Sequence, residues 1–72
     1  MNPEQLGMIL LAMATTARTT ADAAYARGKE EADGNMNGAI VLMSEARVML
    51  GIATTLRAGV DECIKMGNAR DV

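Results

Sequence analysis

In the second half of this chain every seventh residue is small, and the residue three further on is large. Ala39, Ala46 and Ala53 alternate with Leu42, Met49 and Leu56, and Val60 and Cys63 extend the series. This is a heptad seam with alanine in one core slot and a bulky side chain in the other. The first half carries a looser version, Gly7, Ala14, Ala21 and Gly28, again seven apart. The two rows can be laid antiparallel, with Gly7 against Val60, Ala14 against Ala53, Ala21 against Ala46 and Gly28 against Ala39. The midpoint of that pairing falls at Asp33-Gly34, where a turn is needed. The expected fold is all-α, an antiparallel two-helix hairpin with an alanine-rich seam.

Local signals agree with that frame. Asn2 suits the N-cap, Pro3 the first helical position, and Gln5 can reach back toward the cap. Glu4 lies in the first turn, where the helix dipole favours negative charge. The concentrated turn signal is Asp33-Gly34-Asn35-Met36-Asn37-Gly38. Gly34 can end the first helix in the left-handed conformation, and Asn35 or Asn37 can cap the second. Lys65 sits near the second helix's negative end, and Gly67-Asn68 reads as its stop. The chain is therefore read as one hairpin domain over 1–72: helix 3–32, turn 33–37, helix 38–66 and a frayed tail 67–72. No alternating run rich in β-branched or aromatic residues competes. The string Glu31-Ala32-Asp33-Gly34-Asn35-Met36, with Ala39-Ile40 and Glu45-Ala46, resembles the hairpins of tetratricopeptide and similar helical-repeat domains. That likeness covers under half the chain and is generic helix–turn–helix chemistry, since solenoid units need about three repeats.

The apolar residues exceed what one seam can hide. Beside the Ala/Leu row lies a second stripe, Ile40, Met43, Leu50 and Ile64, interrupted by Arg47 and Thr54. Val41, Val48 and Ile52 widen the coverage, and the first helix is apolar all round from Met8 to Ala14. Burying a Leu, Ile or Met side chain is worth about 1.5–3 kcal/mol, so the surplus predicts self-association. A two-fold dimer forming a four-helix bundle is the simplest closed solution, with a tetramer or higher homo-oligomer next. The Ala-plus-Leu layers resemble, in packing logic, the hairpin dimers of Rop-type plasmid regulators. The RNA-binding face of those proteins is not reproduced here.

Composition narrows the classes further. One cysteine excludes an internal disulfide and, with no histidine, a zinc site. Cys63 is expected to be a buried, reduced thiol. The net charge of −2 disfavours non-specific attraction to nucleic acid or an anionic membrane. The run Met8–Ala14 is far short of the roughly 20 residues that span a bilayer. Glu4 stands where a signal peptide would carry positive charge. The expectation is a cytoplasmic protein with neither nucleic acid nor membrane as partner.

Four groups of residues invite a chemical reading. Thr15, Thr16, Thr19 and Thr20 flank Arg18, and the proposed pairing brings them near Thr54, Thr55 and Arg57. Hydroxyls and guanidinium groups together can hold a small anionic ligand such as a nucleotide. The plainer reading is that each threonine bonds the carbonyl one turn back. Tyr25 beside Arg27 and Lys29 has the composition of a binding hot spot, or is a half-buried tyrosine near a bundle end. Arg47 within an apolar stripe can pair with Asp22 or Glu45 of a neighbouring subunit, or extend its stem along the seam with its head in solvent. The seven methionines suit an adaptable surface or simple core filling.

No catalytic, cofactor or metal set is read. Glu30-Glu31 and Asp61-Glu62 are adjacent, so on a helix they diverge by about 100°. No phosphate-binding glycine loop of the required form is present, and the one serine has no histidine to activate it. The expected function is that of a small non-enzymatic oligomeric interaction protein that binds and modulates a larger protein, of an accessory, inhibitor or phage-like type. The alternatives are an oligomer binding a nucleotide or other anion between subunits, and a structural subunit of a larger assembly.

Overall fold

In the computed structural model, which describes residues 1–70, the chain is a single antiparallel helical hairpin. Helix α1 runs Pro3–Glu31 and helix α2 runs Met36–Arg70. The molecule is a rod, with principal extents of 58 × 13 × 13 Å.

The ends of the helices follow from side-chain chemistry. Asn2 Oδ1 accepts from the Gln5 amide at 2.8 Å, and Gln5 Oε1 accepts from the Asn2 amide at 3.2 Å. This reciprocal capping box, with Pro3 in the first turn, satisfies donors that the helix itself leaves open. The turn is tighter than the sequence suggests. No glycine among the described residues has positive φ, so Gly34 is not a left-handed cap. Instead α1 ends on a right-handed Ala32, and the Gly34 and Asn35 amides both donate to the Glu31 carbonyl, at 3.2 and 2.7 Å. Asn35 is the residue that opens α2: its Oδ1 accepts from the Gly38 amide at 3.0 Å. Helix α2 therefore starts at Met36 rather than at 38. It also continues through Gly67-Asn68 to Arg70. Gly67 lies alongside Glu4, so the first turn of α1 packs where a stop would bend away. The rest of the expected frayed tail, residues 71 and 72, lies outside the described residues.

The seam is made of small side chains. On α1 the buried residues are Gly7, Ala14, Ala17, Ala21, Ala24 and Gly28. On α2 they are Ala39, Ala46, Val60 and Cys63, while Leu42, Met49, Ala53 and Leu56 are half-buried. The register differs from the pairing of small with small. Gly7 faces Cys63, Gly28 faces Met43, and Gly59 faces Leu10. That alignment sets Ala14 opposite Leu56 and Ala21 opposite Met49, so the bulky row of α2 fills the small row of α1. The same alignment sets Ala17 opposite Ala53 and Ala24 opposite Ala46, so layers of large on small alternate with layers of alanine on alanine along the seam.

Candidate functional site

The hairpin has a narrow core and two broad faces. Among the described residues no large side chain is fully buried. Outside the seam, and apart from Met1, the exposed large apolar side chains divide evenly by heptad position. One face carries Met8, Leu11, Tyr25, Met36, Ile40, Leu50 and Ile64. The opposite face carries Leu6, Ile9, Met13, Val41, Val48, Ile52 and Met66. The 18-residue core of α2 has a mean hydropathy of 1.5 with only 11% of it buried. By length and composition α2 can cross a membrane, a segment longer than the Met8–Ala14 run that stands out in the sequence.

The first face is grooved. A groove of about 580 Å³ runs between the helices, with Leu11, Thr15 and Arg18 on one wall and Leu50, Thr54 and Arg57 on the other. Thr19, Ala53 and Asp61 also line it. A second hollow of about 330 Å³ continues along the same face between Met8, Leu11, Cys63 and Ile64.

The two walls are the same motif twice. Leu11-Ala12-Met13-Ala14-Thr15-Thr16-Ala17-Arg18 and Leu50-Gly51-Ile52-Ala53-Thr54-Thr55-Leu56-Arg57 share Leu, Ala, both Thr and Arg in order, and Asp22 and Asp61 follow at equal distance. Because the helices are antiparallel, the two copies are related by an approximate two-fold axis through the groove. This internal repeat is visible in the sequence once the halves are aligned, and reading by heptad alone passes over it.

Five of the six threonines are committed to their own helices. Thr15 donates to the Leu11 carbonyl at 3.0 Å and Thr54 to the Leu50 carbonyl at 2.9 Å. Thr16, Thr19 and Thr55 do likewise with Ala12, Thr15 and Gly51. Each hydroxyl proton is thereby used, and what the groove receives from them is acceptor oxygen and methyl surface. Arg18 Nε lies 3.4 Å from Asp22 Oδ1, an exposed pair worth little on its own. Asp61 adds a carboxylate beside Arg57. The structure thus gathers Arg18, Thr19 and Arg57 around one groove whose donors are partly matched from within.

The other candidates are dispersed. Tyr25 is exposed, with Lys29 Nζ 5.5 Å from its ring centroid. Arg27 lies two residues along α1 and so points to the opposite face. Arg47 is exposed in the apolar stripe and enters neither of the two ion pairs seen among the described residues. Cys63 is buried in the seam. Among the described residues no three His, Cys, Asp or Glu side chains cluster as a metal site. The chain matches no known protein-family model, and neither a curated protein nor a solved structure shows significant similarity to it.

Proposed function

We propose that this chain is a small, non-enzymatic, cytoplasmic α-helical protein that acts as a homo-oligomer, with a four-helix unit as its smallest packed form, and that it binds and modulates a larger protein. The observation that carries this reading is the pair of apolar faces on a rod whose own core is alanine, glycine, valine and cysteine. Such a seam buries little area per residue, and a domain this small gains only about 3–5 kcal/mol from a single core. The exposed Leu, Ile, Val and Met side chains supply what is missing when a sister copy covers them. In this reading Arg18, Arg47 and Arg57 give the covered surface its specificity, as charged residues do at interfaces. The partly matched donors of the groove favour a protein surface over a free nucleotide as occupant.

Light scattering on the purified chain in detergent-free buffer tests the reading. The expected result is a helix-rich particle of at least twice the 7.6 kDa chain mass. A stable particle of one chain mass, or a chain that dissolves only in detergent, overturns it.

A further inference from the structure

Resting on that oligomeric reading, we infer that the copies join unlike face to unlike face: the grooved face of one hairpin docks on the opposite face of the next. The first ground is that both faces are apolar to the same degree. Among the described residues each carries seven exposed large apolar side chains. A two-fold dimer through either face hides one set and leaves the other in water. A heterologous contact uses both faces of every copy and repeats around a ring or along a stack.

The second ground is charge. Heptad position places Arg18, Lys29, Arg47 and Arg57 on the grooved face, with Glu4, Asp22 and Asp61. Among the described residues the opposite face has Arg27 alone against Glu30, Glu45 and Glu62. One face is therefore slightly basic and the other acidic. Like faces meeting would set Glu45 and Glu62 against a second acidic surface, whereas unlike faces set cations against them. Arg47, which enters neither ion pair seen among the described residues, lies on the face that would meet these carboxylates.

The third ground is area. A face of 58 by 13 Å presents about 750 Å² per copy, close to the roughly 800 Å² per partner of a stable interface.

Paired single-face variants decide the matter. Leu11→Glu with Leu50→Glu spoils the grooved face, and Val48→Glu with Ile52→Glu spoils the other. All four positions lie outside the buried seam, on the exposed faces of the hairpin. Each variant alone is expected to run at one chain mass. An equimolar mixture is expected to form a 1:1 complex of twice the 7.6 kDa chain mass, because each variant keeps the face the other lacks. Helicity recovered on mixing, read by circular dichroism, gives the same answer if a lone variant unfolds. A variant that stays dimeric alone shows that like faces pair, and overturns the inference while leaving the oligomer intact. A mixture that stays dissociated also overturns it. A monomeric parent chain overturns the oligomeric reading itself.

Discussion

At the residue scale the helix glycines differ in what surrounds them. A Cβ at Gly7 would lie 3.2 Å from Cys63 Cβ, an atom fixed to the backbone of α2. A Cβ at Gly51 meets nothing within 4 Å. Alanine in an exposed helix interior is worth about 0.5–1 kcal/mol over glycine. Gly51→Ala is therefore expected to stabilise the fold by about that amount. Gly7→Ala gains the same propensity, but Cys63 Cβ must then give way by a few tenths of an ångström at a close point, and overpacking costs about 1–3 kcal/mol. Urea denaturation at one protein concentration should rank Gly51→Ala above the parent and Gly7→Ala below it. Equal gains from both would show that the seam is not closed at Gly7. Gly28 and Gly59 are intermediate cases, because their neighbours are the flexible ends of Met43 and Leu10.

At the element scale, the start of α1 and the presence of two helices could be read from the sequence, since Asn2, Pro3 and Gln5 act through local chemistry. The register could not. Rows seven apart on both helices fit several antiparallel alignments equally. The choice among them is made by how all the layers of the two helices close at once, a three-dimensional matter. The turn was legible as a turn, but not the atoms that close it. At the head of α2 the Asn35 side chain occupies the space a Cβ on Gly38 would need, with Nδ2 2.5 Å from that position. The cap and the glycine are thus coupled. Asn35→Ala should cost about 1 kcal/mol as a lost cap. Gly38→Ala in the parent displaces the cap and roughly cancels its own gain in helix propensity, about 1 kcal/mol. In the Asn35→Ala background the same glycine change should be stabilising, because nothing remains to displace. A double-mutant cycle by thermal denaturation reads this as a coupling of about 1 kcal/mol. Additivity would mean that Asn35 does not cap through this geometry.

At the scale of the whole molecule, the groove residues Arg18, Thr19 and Arg57 could be named from the sequence because threonine and arginine stand out among alanines. The sequence pattern alone did not bring out their two-fold relation, which depends on the antiparallel turn. It also did not divide the apolar surplus into two opposed faces, which depends on which row becomes the seam. That division bears on stability as well as on assembly. A rod with an alanine seam has little hydrophobic burial to set against the entropy of ordering about 70 residues. Folding is then expected to draw on burial between copies, and unfolding and dissociation to occur together. For such a linked system the midpoint rises with protein concentration. In a dimer-like equilibrium a tenfold increase adds about 1.4 kcal/mol per complex, or about 0.7 kcal/mol per chain. A domain of this size shifts by about 4–8 °C per kcal/mol, so the midpoint should climb by about 3–6 °C for each tenfold rise in concentration. Circular dichroism melts over two decades of concentration measure this directly. A midpoint independent of concentration would mean that the alanine seam suffices alone and that the exposed apolar faces are not what holds the fold together.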